Sequence, residues 1–181
     1  MGGYDYEKRS LLIIALALCL LFSGFTRVES DVPSAGFTST STEVGTFTVE
    51  VPDYYGHLNN GVYMCYENGE AKAGLVMVAA ENTTATKANF NSAKLTLLDA
   101  LANKIASCQR NSYKDATIAG CPAVIGYYKD GSGQKGIGVL VFNEKAHELL
   151  FIFCALSPNT VYADYEADFN RMLDGIVLTK H

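Results

Sequence analysis

The sequence predicts an α+β fold in which one central antiparallel six-stranded sheet is covered by helices on both faces. Three strand-length apolar runs follow one another between residues 116 and 156, joined by short polar turns. The last two runs, Ile137 to Phe142 and Leu149 to Leu156, are apolar at both alternating sets of positions. Successive strand residues face opposite sides of a sheet, so both faces must be covered. Two segments with apolar residues at helical spacing can form the helices that cover these faces, which gives the order βββ-α-βββ-α.

The first half of the domain contains three predicted strands and a helix. Residues 47–51 alternate apolar and polar side chains up to Pro52, which is typical of an edge strand. Val62 to Tyr66 and Gly74 to Ala80 form the second and third strands, separated by a Glu-Asn-Gly-Glu turn. Apolar residues then recur at helical spacing, and they are Phe90, Leu97, Leu98, Leu101 and Ile105.

The second half repeats this order of elements. Its first strand, Cys121 to Tyr128, leads into a Lys-Asp-Gly-Ser-Gly turn whose glycines permit the positive φ angles of a hairpin. The two strands described above follow. The chain then enters a second helix, which Gly175 is placed to end. The apolar stripe of this helix consists of Tyr165, Phe169, Met172, Leu173 and Ile176.

The first thirty residues indicate a targeting segment. Lys8 and Arg9 precede an unbroken apolar run from Leu11 to Phe22, which is the layout of a secretory signal peptide. This run is shorter than the roughly 20 residues of a spanning helix, so we expect cleavage after Ser30. Retention of residues 11–25 as a membrane anchor is the alternative. Residues 31–45 are rich in serine and threonine and predict a disordered spacer before a single domain at residues 46–181.

Composition limits the classes of partner and chemistry. The chain has 181 residues and a formal net charge of -5, without the clustered lysines and arginines that phosphate neutralisation needs. Nucleic acid is therefore not an expected partner. The three histidines are scattered, and none lies at ligand spacing from a cysteine, so no metal site is predicted. The sequence also contains no recognisable catalytic motif, and it predicts neither catalytic residues nor a cofactor.

Four of the five cysteines lie outside the targeting segment. Cys65 and Cys154 fall inside apolar strands, where a small buried side chain is expected. Cys108 and Cys121 flank a polar connection. Because an even number of cysteines in an exported chain favours disulfide pairing, we predict a disulfide bond between Cys108 and Cys121.

The loop after the first strand is the predicted interaction surface. It presents two adjacent tyrosines, an imidazole and two asparagines, which are Tyr54, Tyr55, His57, Asn59 and Asn60. Loops often hold binding residues because a rigid scaffold presents them to a partner. The alternative is a plain hairpin connection whose tyrosines cover the edge of the sheet.

The order of elements resembles the PsbP-like fold. The resemblance rests on Phe-Thr-Val-Glu-Val-Pro at residues 47–52, Ile-Ala-Gly-Cys-Pro-Ala at residues 118–123 and the closing helix from Tyr165 to Ile176. The group includes the PsbP extrinsic subunit of photosystem II, a Ran-binding nuclear import factor and exported bacterial proteins of the DcrB type. The resemblance implies a sheet between helices and an interaction or assembly role without enzymatic activity. Where such proteins often carry a tryptophan, this chain has Tyr54 and Tyr55.

Together these features predict a non-catalytic binding or assembly module that is exported and has a protein partner in the cell envelope or outside the cell. Two alternatives stay open. A carrier of a small apolar ligand or lipid needs a cavity lined by residues such as Leu101, Phe151 and Phe153. A thiol-dependent or hydrolytic enzyme needs a cleft that gathers a histidine with a cysteine or carboxylates.

Overall fold

The computed structural model describes residues 38–179, except residues 60, 82, 131–132, 158–159 and 162. The predicted signal peptide or anchor, the first part of the predicted spacer, and Asn60 therefore lie outside the described residues. The described part of the chain forms ten strands in two antiparallel sheets, together with two helices.

The smaller sheet has three strands, and the larger has seven. The smaller sheet has the order β1-β2-β10, with β1 at Ser39–Val44, β2 at Phe47–Pro52 and β10 at Val177–Leu178. The larger sheet contains β3 at Gly56–Asn59, β4 at Val62–Glu67, β5 at Glu70–Glu81, β6 at Gln109–Ile118, β7 at Cys121–Asp130, β8 at Gly133–Asn143 and β9 at Glu148–Leu156. Its strand order is β3-β4-β5-β9-β8-β7-β6. Helix α1 spans Lys87–Ile105 and helix α2 spans Ala163–Asp174.

The prediction of one six-stranded sheet is wrong, whereas the α+β class and the antiparallel pairing are confirmed. Strand β2 does not join the large sheet, because it pairs with β1 along its whole length and with β10 on its other side. Strand β1 lies within residues 31–45, so the predicted disordered spacer is also wrong at residues 39–44. Its serines and threonines bury little surface, and backbone pairing with β2 supplies the hydrogen bonds that hold it.

Strand β6 corresponds to the segment that the sequence presented as a polar connection. Seven of its ten residues are exposed, so no alternation of apolar and polar side chains marks it. It lies at one edge of the large sheet and pairs with β7 from Gln109 opposite Lys129 to Ile118 opposite Cys121. An edge strand held by backbone pairing on one side needs few buried side chains, which explains the missed prediction.

Both faces of the large sheet are covered, as the apolar strands require. On one face, α1 contributes Phe90, Leu98, Ala102 and Ile105 to a core with side chains of β7, β8 and β9. On the other face, the small sheet and α2 jointly cover the sheet, and they contribute Phe47, Val49, Val51, Tyr165, Phe169, Met172 and Leu173. One cover is therefore a helix alone, and the other is a small sheet with a helix.

A polar network fixes α1 to the β6 edge of the sheet. Arg110 donates from Nε to Asp99 Oδ1 at 2.9 Å and from Nη2 to Asp99 Oδ2 at 3.0 Å. The buried Tyr128 donates its hydroxyl to Asp99 Oδ1 at 2.9 Å. The hydrogen bonds from Arg110 lower the pKa of Asp99; burial opposes this effect and the bond from Tyr128 adds to it. The ionised carboxylate thus joins the helix to two strands.

The turn between β1 and β2 docks on a buried glutamate of β9. The Glu148 side chain accepts a hydrogen bond from the Thr46 amide at 2.8 Å, and the buried Asn143 donates from Nδ2 to Thr46 Oγ1 at 3.0 Å. Gly45 precedes this contact with a φ of 61°. A Cβ at Gly45 would overlap the Glu148 carboxylate, so the absence of a side chain lets the small sheet approach the large one.

Gly45→Ala should destabilise the fold more than Gly120→Ala. Both glycines have positive φ angles, 61° and 74°, so alanine costs about 1 kcal/mol of backbone strain at either position. A Cβ at Gly120 meets nothing within 4 Å, whereas one at Gly45 collides with Glu148. We expect Gly45→Ala to lower the free energy of unfolding by about 2 kcal/mol more than Gly120→Ala does, as measured by urea denaturation. Equal losses for the two variants would contradict the docking contact.

Asp99→Asn should reduce the free energy of unfolding at neutral pH and matter less in acid. Because the folded-state pKa of Asp99 is lowered, its stabilising effect is complete above the unfolded-state pKa of about 4. The effect is lost as the pH falls through the folded-state pKa. Urea denaturation of both proteins at about pH 6 and about pH 3 should show a difference that shrinks in acid. A constant difference would argue against the ionic contact.

Candidate functional site

The two tyrosines of the predicted interaction loop turn toward the protein interior. Tyr54 donates its hydroxyl to Asp168 Oδ2 on α2 at 2.8 Å, and the Tyr55 hydroxyl lies 3.7 Å from Cys154 Sγ on β9. Their ring centroids are 5.0 Å apart. Both rings pack against the core under the small sheet. Both tyrosine side chains are therefore partly buried against this core.

Tyr54 and Tyr55 belong to a tyrosine–thiol cluster that also contains Tyr165, Cys65 and Cys154. The Cys65 Sγ lies 3.9 Å from the Tyr165 hydroxyl. Burial raises the pKa of Cys154 to about 11, and burial is also the main cause that raises the pKa values of Cys65 and all three tyrosines. These groups are protonated at neutral pH. Since the thiolate is the nucleophilic form of cysteine, the geometry favours a packing role for this cluster.

A cleft of about 440 Å³ lies beside this cluster, where β1 faces the β3–β4 hairpin. We call it the rim cleft. Strand β1 is an edge of the small sheet and β3 is an edge of the large sheet, so the cleft separates two strand edges. Its lining consists of Thr40, Ser41, Thr42, Val51, Pro52, Asp53, Tyr55, His57 and Tyr63.

Hydrogen bonds within the rim cleft fix its polar side chains. Tyr63 donates its hydroxyl to Thr42 Oγ1 at 3.2 Å, and Thr40 donates to Asp53 Oδ1 at 2.8 Å. The exposed imidazole of His57 packs on the Tyr63 ring, with centroids 4.8 Å apart. The cleft thus offers hydroxyls, one carboxylate, one imidazole and aromatic surface. This mixture suits non-covalent recognition of a partially polar surface.

The structure brings together only part of the predicted interaction surface. Tyr55 and His57 line the rim cleft, whereas Tyr54 points to α2. Asn59 is half-buried and pairs with Val62 at the β3–β4 turn. Sequence reasoning missed the contributions of β1 and Tyr63. The strand propensity of the threonines in residues 39–44 was the available signal, and the serines among them concealed it.

The predicted disulfide bond between Cys108 and Cys121 is not formed, and the four described cysteines are thiols. Cys108 precedes β6 and Cys121 follows it, so the ten residues of this strand separate them by about 30 Å. They also belong to the cores on opposite faces of the large sheet. The polar connection that the two cysteines flank is an extended strand.

The aromatic residues named for a ligand cavity are packed together. The Phe151 and Phe153 rings stack with centroids 6.3 Å apart, and Tyr128 contacts Phe153 at 5.6 Å. Leu101 packs against the same core.

Among the described residues, no group of three or more histidine, cysteine or acidic side chains is arranged to hold a metal ion. Neither helix of the described chain is long and apolar enough to cross a membrane.

Comparison with solved structures identifies the fold. The chain superposes on cyanobacterial PsbP (CyanoP) from Synechocystis sp. PCC 6803 with a TM-score of 0.55 at 10% identity, covering 82% of this chain and 98% of that protein. A Pseudomonas aeruginosa protein of unknown function superposes with a TM-score of 0.51 at 16% identity, covering 79% of this chain and 99% of that one. No protein-family model and no curated protein sequence matches the chain.

The chain therefore has a PsbP-like fold, which confirms the resemblance found in the sequence. At identities of 10% and 16%, the likeness concerns the fold alone.

Alkylation should label Cys65, Cys108, Cys121 and Cys154 in denaturant without any reductant, because the structure holds all four as thiols. Under native conditions at pH 8, labelling should be slow. A pKa of about 11 leaves roughly one Cys154 side chain in a thousand as thiolate at that pH, and all four are buried. Intact-mass spectrometry measures both reactions. Two cysteines that stay unlabelled until a reductant is added would restore the disulfide prediction.

Proposed function

We propose that this protein is a non-catalytic binding or assembly module that works outside the cytoplasm and contacts a protein partner through the rim cleft. The observation that carries the proposal is the position of the exposed His57 imidazole beside the hydroxyls of β1, on a scaffold with two packed cores. Loops and strand ends held by such a scaffold are a common location for binding residues.

The walls of the rim cleft are held before any partner arrives. Strand β1 pairs with β2 through all six of its residues, and β3 pairs with β4. The Tyr63–Thr42 hydrogen bond links the two walls directly. A surface that is ordered in advance loses less conformational entropy on binding, which favours a recognition role.

The proposed location rests on the N-terminal sequence. The basic residues Lys8 and Arg9 and the apolar run from Leu11 to Phe22 have the layout of an export signal. The protonated thiols of the tyrosine–thiol cluster are compatible with a binding role, because neither Cys65 nor Cys154 is activated as a nucleophile.

The proposal is tested by photo-crosslinking in intact cells of the source organism. The full-length chain carries p-benzoylphenylalanine in place of His57, which is exposed at the rim cleft. The matched control carries the same residue in place of Thr96, which is exposed on α1, the helix that covers the other face of the sheet. We expect a discrete crosslinked protein from position 57 and none from position 96, recovered from the envelope or the culture fluid.

Two results would contradict the proposal. One is the same crosslinked proteins from both positions, which would indicate chance contacts. The other is no crosslinked protein from either position together with a lipid bound in native mass spectra, which would favour a carrier function. Recovery of the crosslinked product in the cytoplasmic fraction would refute the location alone.

A further inference from the structure

A second cleft lies at the opposite edge of the large sheet from the rim cleft. It has a volume of about 720 Å³ and lies between the C-terminal end of α1 and the first residues of β6. We call it the amide cleft, because three of the six polar residues that line it carry amide side chains; the six are Asn103, Ser107, Gln109, Arg110, Asn111 and Lys129. No carboxylate is among its described lining residues. Two of the lining side chains, Arg110 and Lys129, are positively charged, and Arg110 is paired with the Asp99 carboxylate.

Asp99 orients the Arg110 guanidinium at this cleft. The two hydrogen bonds from Nε and Nη2 to the Asp99 carboxylate use two of the five N–H donors of the guanidinium. The Tyr113 ring packs on the guanidinium, 5.3 Å from ring centroid to Cζ. An arginine held on two sides loses little side-chain freedom when its remaining donors bind a ligand, which lowers the entropic cost of binding.

A β-bulge and a cross-strand pair lie at the same end of β6, beside the cleft. The pairing of β6 with β7 shifts register between Arg110 and Ser112, so Asn111 is the extra residue of the bulge. Bulges change the direction of side chains and are frequent beside binding sites. On the N-terminal side of the bulge, Gln109 lies directly opposite Lys129 on β7, so these two side chains are neighbours on one face of the sheet.

The helix end beside the cleft opposes anion binding, and two features reduce this effect. The C-terminal carbonyls of a helix carry partial negative charge. Lys104 lies in the last turn of α1 and compensates part of that charge. The Ala106 amide donates to the Ala102 carbonyl at 2.9 Å and thus satisfies one of the terminal acceptors.

We propose that the amide cleft binds the oxyanion group of a small molecule. Guanidinium, ammonium and amide N–H groups are the donors that phosphate and carboxylate oxygens accept from, and charge-assisted bonds are the stronger ones. The volume of the cleft lies in the range of small-molecule sites. The site is independent of the rim cleft and of a protein partner there.

The test is titration of the isotope-labelled full-length protein with inorganic phosphate, followed by NMR at constant ionic strength set with sodium chloride. We expect saturable shifts of the Gln109, Arg110 and Asn111 backbone amides and of the Asn103 side-chain amide. Lys129→Gln should weaken binding about fivefold or more, because a charge-assisted contact is lost. The matched control is Lys114→Gln, an exposed lysine farther along β6 with the same change in charge.

A second variant keeps the proposal testable if Lys129→Gln alters the fold. Asn103→Asp places a carboxylate on the exposed helix side of the cleft and should abolish the saturable shifts through repulsion. Three outcomes would overturn the proposal. They are no saturable shift in the wild-type protein, shifts spread over lysines elsewhere on the surface, and equal weakening by Lys129→Gln and Lys114→Gln.

Discussion

The centre of the large sheet is apolar on both of its faces, and the remaining elements are placed by the need to cover it. Val139 and Leu140 are adjacent on β8, face opposite sides and are both fully buried. A sheet in this condition cannot leave either face in water without exposing a continuous apolar surface. Helix α1 covers one face, and the small sheet and α2 cover the other. The hydrogen bond from the Thr46 amide, in the β1–β2 turn, to Glu148 on β9 then attaches the small sheet to the large sheet.

The close approach of α1 to the sheet depends on two glycines that lie opposite each other. Gly126 on β7 pairs with Gly138 on β8. A Cβ at these positions would lie 2.9 Å and 3.1 Å from the methyl groups of Leu98, so the missing side chains form a recess that Leu98 fills. The Tyr128 ring lies against the same recess, and its hydroxyl reaches Asp99 from there. Apolar packing and the polar network around Asp99 therefore depend on the same two positions.

Most of the large sheet and both helices follow from apolar periodicity, because buried side chains impose it. Strands β1, β3 and β6 could not be predicted in this way, since they lie at sheet edges where backbone pairing holds them and their side chains stay largely in water. For the same reason, only part of the candidate site could be predicted from the sequence. Tyr55 and His57 were found as loop residues, but the rim cleft exists only because β1 packs beside them, and β1 carries no apolar pattern. The direction of Tyr54 depends on Asp168, which is 114 residues away in the chain.

Because both faces of the large sheet are used for packing, the two proposed recognition sites lie at its edges. The two edges are β3 and β6, and each borders one of the two clefts described above. Exposed strand edges invite pairing with other chains, and this protein limits that risk at both. Strand β3 has four residues and a register shift, whereas β6 carries Arg110, Lys114 and Asp115 and a bulge. These features disfavour strand addition along the edges, so specific side chains in the clefts are better suited than backbone pairing to select a partner or ligand.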